Sequence, residues 1–153
     1  MLEIGSKAPD FKLYSAKEEL ISLSMFLGKK IVLYFYPKDN TSGCTKQAMN
    51  FKNVYDELKK LNVVLIGISK DSILSHQKFI ANYELPFILL SDTNLIAIKA
   101  YDVWKEKKLY GKTYMGIIRS TFIIDENGYI IQASEHVNPA TNPTQVLTFL
   151  QTL

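Results

Sequence analysis

Hydrophobic and polar positions follow two rhythms along the chain, and the changes of rhythm divide it into elements. After Lys30 the run KIVLYFY, residues 30–36, is continuously apolar, rich in β-branched and aromatic side chains, and ended by Pro37. Such a run predicts a central strand covered on both faces. Beyond a turn-rich stretch, Cys44, Ala48, Phe51, Tyr55 and Leu58 recur at steps of four, three, four and three, while Lys46, Asn50, Lys52, Asn53 and Glu57 fall on other faces. That spacing predicts an amphipathic helix over about residues 43–60. VVLIGIS, residues 63–69, reads as a second buried strand. Asp71 or Ser72 then caps a helix whose apolar set includes Ile73, Phe79, Ile80 and Tyr83. PFILLS gives a third, shorter strand, followed by a short helix near residues 95–101. RSTFIIDENGYIIQAS folds back at Asn127-Gly128 as a hairpin, and a last amphipathic helix starts near Pro143.

Parallel βαβ units followed by an antiparallel hairpin predict an α/β fold, with a central mixed β-sheet flanked by helices. The layout is similar to a thioredoxin-like domain, with the first 25 residues as an N-terminal β extension. The 153 residues are expected to form one domain, 1–153, large enough for a real core.

Composition narrows the function classes. An apolar share of 47% with 22% charged residues is ordinary for a globular protein in water. The net charge of +3 is scattered, and the densest basic run, residues 105–108, has Glu106 inside it. No nucleic-acid footprint follows. The longest apolar runs are strand-length, so no membrane span is expected, and no secretory leader is visible. A single cysteine leaves no internal disulfide and no cysteine-cluster metal site. His76 and His136 belong to no metal-ligand spacing, and no cofactor or metal is expected. The default compartment is a reducing cytoplasm.

The remaining question is the cysteine itself. Cys44 continues the apolar stripe of its helix, and a buried cysteine is by default a small hydrophobe. Its position favours more. DNTSG is turn chemistry, so Cys44 falls in the first helical turn, where unpaired backbone N–H groups and the positive dipole end favour a thiolate. Thr41, three residues earlier, offers a hydroxyl to the sulfur or to the helix end. Pro37 stiffens the strand-to-loop junction. Arg119 is the only charge in GIIRSTFII, an otherwise apolar strand.

Pro37, Thr41 and Cys44, spaced Pro-x-x-x-Thr-x-x-Cys after a strand, resemble the peroxiredoxin active-site motif. YFYPKDNTSGCTKQ, SKDSILSHQKF, LPFILLSD, YGKTYMGIIRSTFIIDENG and the opening GSKAPDFKL look like the bacterioferritin-comigratory, PrxQ-type subgroup. The likeness covers nearly the whole chain and is weakest after about residue 132. It implies a thiol peroxidase for hydrogen peroxide and organic hydroperoxides. In that reading Cys44 is the peroxidatic nucleophile, Thr41 a hydrogen-bond partner of the reacting atoms, Pro37 a shield and Arg119 the family's cation.

Arithmetic limits what such a cation does. A thiol whose pKa drops from about 8.5 to about 6 gains roughly 30-fold in thiolate at pH 7. With a Brønsted slope of about 0.4–0.5, lost nucleophilicity takes back roughly 10- to 20-fold. A net gain of about two-fold is no mechanism. Orientation, and stabilisation of the charge that develops on the departing oxygen, must do the rest.

Many members of the subgroup carry a second cysteine five residues after the first, where this chain has Met49. Five residues turn a helix by about 500° and raise it by about 7.5 Å, beyond the disulfide limit of roughly 7 Å between Cα atoms. Met49 forms no disulfide at all and reads as packing or surface filler. The sulfenic acid is therefore expected to need an external thiol, whether thioredoxin, glutaredoxin or a small thiol, on a monomer or weak homodimer. A Cys-x-x-Cys exchange enzyme is ruled out because Thr41 stands where the first thiol belongs. A non-catalytic redox sensor or binding module on the same fold is the alternative. Gln47, one turn beyond Cys44, reads by default as a solvated helix face and otherwise as a member of the active-site network, and His76 reads as a surface or cap position. Tyr34, Tyr36, Trp104, Tyr110 and Tyr114 are core packing by default and otherwise candidate walls of a peroxide site.

Overall fold

Alternate residues of the KIVLYFY run face opposite sides of the sheet, and both sides are dry. Ile31, Leu33 and Phe35 join one buried cluster with Ile66, Ile68, Tyr101 and Phe122, while Val32, Tyr34 and Tyr36 join a second with Cys44, Phe51, Phe79 and Leu150. In the computed structural model, which describes residues 1–153, the chain begins with β1 (Lys12–Ser15), β2 (Leu20–Ser22), a 3-10 turn at Leu23–Phe26 and β3 (Lys30–Phe35). Then come α1 (Ser42–Lys60), β4 (Val63–Ser69), α2 (Ile73–Tyr83), β5 (Ile88–Ser91) and α3 (Ile96–Ala100). The last part is β6 (Trp104–Leu109), β7 (Lys112–Ile117), β8 (Ser120–Ile124), β9 (Ile130–Glu135) and α4 (Asn142–Gln151).

Seven strands form one sheet in the order β2-β1-β5-β4-β3-β8-β9. The β3–β4 and β4–β5 pairs are parallel and the others antiparallel, which makes the sheet mixed. Phe51 and Leu58 of α1, Phe79 of α2 and Val146 and Leu150 of α4 pack on the Val32–Tyr34 face. Ala97 and Ile98 of α3 pack on the opposite face. The α/β layering expected from the sequence is thus the fold. The lead-in is β-structured, with β1 pairing antiparallel to β5.

Local chemistry sets the ends. Of the two cap candidates for α2, Ser72 does the capping, its Oγ accepting from Ser75 N at 3.1 Å. Asp71 is used elsewhere, accepting from Asp39 N and from the Ser69 hydroxyl. α1 closes with Lys59 and Lys60 in its last turn, where cations suit the negative dipole end.

One expectation needs correction, and one element lies outside the expected set. GIIRSTFII is not one strand: pairing stops at Ile117 and resumes at Ser120, so Arg119 sits in the bend between β7 and β8. The cause is β7, which leaves the main sheet to pair antiparallel with β6 in a separate two-stranded sheet. That hairpin was missed because WKEKKL carries no apolar run. Its turn is nevertheless legible, since Tyr110 (φ 51°) and Gly111 (φ 75°) both take the left-handed conformation of a tight two-residue hairpin loop.

The β3–β4 pairing places Tyr34 opposite Gly67, and the ring lies across the position where a side chain would stand. A Cβ on Gly67 would come within 2.8 Å of both Tyr34 Cζ and Leu89 Cδ2. Tyr34 is wedged against Phe51 with ring centroids 4.6 Å apart and has little room to yield. Gly67→Ala is expected to cost about 1–3 kcal/mol by overpacking. Urea unfolding monitored by far-UV circular dichroism checks this, and an unchanged midpoint would contradict it.

Candidate active site

Cys44 lies in the first turn of α1 and is only 2% exposed. The helical ladder begins just after it, with Thr45 N donating to Thr41 O at 2.9 Å, so the N–H groups of the turn carrying the sulfur precede the ladder. Arg119 Nη2 donates to Cys44 Sγ at 3.3 Å, and Arg119 Nη1 donates to Gln47 Oε1 at 2.7 Å. One planar guanidinium therefore joins the sulfur to a side chain one helical turn further on. Gly43 eases the approach, since a Cβ there would crowd Arg119 Nη2 at 3.2 Å. The bend carrying Arg119 is fixed on both sides: Ile118 N donates to Val103 O at 2.8 Å and Val137 N to Arg119 O at 3.1 Å.

The loop from strand to helix is held from below. Asp39, in the middle of PKDNTSGC, is buried and gathers three polar side chains. Tyr36 Oη donates to its Oδ1 at 2.6 Å, and Ser75 Oγ donates to its Oδ2 at 2.8 Å. His76 Nδ1 lies 2.7 Å from the same Oδ2, and its Nε2 lies 2.9 Å from the Leu90 carbonyl. A carbonyl only accepts, so Nε2 carries a proton and His76 ties the loop to β5. Burial keeps the Tyr36 phenol well above its ordinary range, and Tyr34 and Asp39 push it the same way, so it stays a neutral donor. Asp39, Asp71 and His76 bring metal-ligand atoms within 4.8 Å of one another. Their bonds to one another and to the loop already define a structural role, that of an anchor.

Thr41 occupies the N-cap position of α1, but its hydroxyl makes no cap bond. Nor is it bonded to the sulfur: Thr41 Oγ1 donates to Lys38 O at 2.9 Å. That hydrogen is committed, so the oxygen offers only lone pairs outward. Pro37 is half-buried and lines a cleft of about 510 Å³ with Arg119, Lys107, Lys108, Glu106, Ile118, His136 and Val137. Lys107 reaches in from β6 and donates to Ile117 O at 2.8 Å. Burial lowers its affinity for a proton, the Arg119 cation lowers it further, and Cys44 opposes them. Lys107 thus belongs to the same charged environment.

Two polar side chains expected at the surface are buried. Gln47 is 0% exposed because α4 packs over it, and Gln47 Nε2 donates to Asn142 Oδ1 at 3.1 Å. His76 is 0% exposed for the reason just given, not a cap or a surface residue. Tyr34 and Tyr36 are core residues, whereas Tyr110 and Tyr114 point to solvent. Trp104 packs beside the first cluster with Lys70 Nζ 5.6 Å from its ring centre. Met49 is half-buried against the second cluster. Burial holds the Tyr34 phenol well above its ordinary range, reinforced by Cys44 and Asp39. No helix is long and apolar enough to cross a membrane.

A thiol in the first turn of a helix, touched by an arginine that comes from the bend between β7 and β8 and itself lines a basic cleft, defines a thiol redox site. Residues 4–133 match the AhpC/TSA family, so the chain belongs to that family and is a thiol-dependent peroxidase. It is 45% identical over 150 residues to peroxiredoxin Bcp of Bacillus subtilis, spanning 98% of this chain and 96% of that one. A solved mutant of Xylella fastidiosa PrxQ superposes with a TM-score of 0.94 at 33% identity, covering 99% of this chain and 97% of that one. The Xanthomonas campestris bacterioferritin comigratory protein gives 0.91 at 36% identity, covering 99% and 97%. The thioredoxin-like layout expected from the element order is that of these neighbours.

The anchor yields a direct expectation. His76→Ala leaves the buried Asp39 carboxyl without its partner at 2.7 Å and the Leu90 carbonyl without its donor, a loss of about 1–3 kcal/mol for buried polar groups left unsatisfied. Denaturant titration of purified His76→Ala against the parent chain checks it, and a change under about 0.5 kcal/mol, typical of surface sites, would refute the anchor.

Proposed function

We propose that the chain reduces hydroperoxides through Cys44 alone and regenerates it with a thiol from another molecule. The observation that carries this reading is the Arg119 guanidinium, donating to Cys44 Sγ at 3.3 Å at the edge of an open cleft. The Cys44 thiolate attacks one peroxide oxygen, an S–O bond forms as the O–O bond breaks, and the departing oxygen leaves as water or an alcohol with a proton. Arg119 stabilises the negative charge that grows on that oxygen. Thr41 Oγ1, its hydrogen occupied by Lys38 O, accepts a hydrogen bond from the protonated peroxide oxygen and orients it. Pro37 shields the sulfur side of the cleft.

The second half-reaction needs a partner. The 153 residues hold no other thiol, and Met49 stands five positions beyond Cys44. An external thiol attacks the Cys44 sulfenic acid, releasing water and leaving a mixed disulfide. A second thiol then reduces that disulfide and restores Cys44. A reducing cytoplasm supplies such thiols. Organic hydroperoxides join hydrogen peroxide as proposed substrates, in keeping with the alkyl peroxide reduction activity of the Xanthomonas campestris relative.

Cys44→Ser is expected to abolish peroxide consumption. Thr41→Val should slow oxidation by about ten-fold, the worth of one oriented hydrogen bond in the transition state. Stopped-flow oxidation by hydrogen peroxide measures both. Mass spectrometry after one equivalent each of peroxide and glutathione should show a single glutathione adduct on Cys44. Wild-type protein reacting no faster than a free thiol would leave a redox sensor as the better reading.

A further inference from the structure

The Arg119–Gln47 pair continues into the molecule, and its direction is dictated by chemistry. Arginine only donates, so the Gln47 atom 2.7 Å from Arg119 Nη1 has to be the oxygen. The Gln47 amide nitrogen then faces away, toward Asn142, 3.1 Å distant. Asn142 has to meet that donor with Oδ1, and the same oxygen receives the Thr121 hydroxyl at 3.0 Å. Gln47, Thr121 and Asn142 are each at most 3% exposed, so no solvent competes for these bonds. Thr121 lies two residues after Arg119 and opposite Tyr34 in the β3–β8 pair. The chain of bonds thus starts from the central sheet, crosses the first residue of α4 and the side of α1, and ends at the reactive sulfur. The family match stops at residue 133, which leaves Asn142 and the whole of α4 outside it.

We infer that Asn142 is a positioning residue for the peroxidase reaction: it fixes the orientation of the Gln47 amide and thereby the plane of the Arg119 guanidinium at Cys44. This rests on the peroxidase reading above. Turning the Asn142 amide over would set its Nδ2 against Gln47 Nε2, two donors with nothing to accept, and would free Gln47 to flip its nitrogen onto Arg119. A guanidinium displaced by even 1 Å from the reacting oxygens forfeits up to about 100-fold in rate.

The logic makes a prediction that ordinary packing does not. Asn142→Leu removes the acceptor at similar volume and should lower the second-order rate of Cys44 oxidation by about 10- to 100-fold. Asn142→Asp keeps an acceptor for both donors and should recover most of that loss. Gln47→Glu places an acceptor toward Asn142, which compensates by turning its Nδ2 to donate, so this single change should cost about three-fold. Combining Gln47→Glu with Asn142→Asp sets two carboxylates face to face with no donor between them. The double variant should fall at least about ten-fold below the product of the two single effects. Its urea midpoint should likewise drop by more than the sum of the single shifts, a readout independent of activity. Should Asn142→Leu fail to fold, the two carboxylate variants and their combination carry the test. Additive effects in both rate and midpoint, or oxidation of folded Asn142→Leu at the parental rate, would overturn the inference. A parent chain unreactive toward peroxide would instead overturn the peroxidase reading, while the midpoints still decide the relay.

Discussion

A guanidinium held 3.3 Å from a buried sulfur is the interaction on which the rest of the site depends. Arginine keeps its charge at any relevant pH and presents its donors in a rigid plane, so a second hydrogen bond is enough to orient the first. Gln47 supplies that bond at 2.7 Å, and Gly43 leaves the space through which the plane reaches the sulfur. With Cys44 only 2% exposed, little water screens the pair, and charge developing beside it is felt strongly. Ionising a thiol alone brings about two-fold, because more thiolate means a weaker nucleophile. In the proposed mechanism the arginine matters as a fixed partner for oxygen, and the surrounding fold holds its plane through Gln47.

That fixation has two independent supports. On one side the PKDNTSGC loop is pinned through Asp39 to Tyr36, Ser75 and His76, which positions the first turn of α1 from beneath. On the other, the bend after β7 is pinned at Ile118 and Arg119 by backbone bonds to Val103 and Val137.

Much of this was legible in the residues. The strand run, the stripe of α1 and the turn before Cys44 follow from local pattern, and the Pro37, Thr41 and Cys44 spacing carries the family likeness. What escaped reading shares one physical origin. Gln47 and His76 sit among polar neighbours and look solvated, yet they are buried by elements remote in sequence: α4 covers Gln47, and the Pro37–Asn40 loop and β5 enclose His76. Asn142 lies at the start of a helix that local pattern places but cannot dock. The β6–β7 hairpin escaped because both its faces are largely polar, so no hydrophobic period marks it. The Thr41 hydroxyl was placed in the right neighbourhood, but its hydrogen goes to Lys38 O, a choice made by loop geometry that residue type does not encode.

The central claim is that Arg119 acts on the peroxide oxygens and not by activating the thiol in general. The most direct measurement compares two reactions of Cys44 in the parent chain and in Arg119→Ala: oxidation by hydrogen peroxide and alkylation by iodoacetamide. An alkylating agent has no peroxide oxygen for the guanidinium to bind. The account predicts that oxidation falls by about 100-fold or more, as when an oxyanion donor is removed, while alkylation changes by no more than about three-fold. Equal losses in both reactions would show that the arginine merely activates the thiol, and would contradict the account.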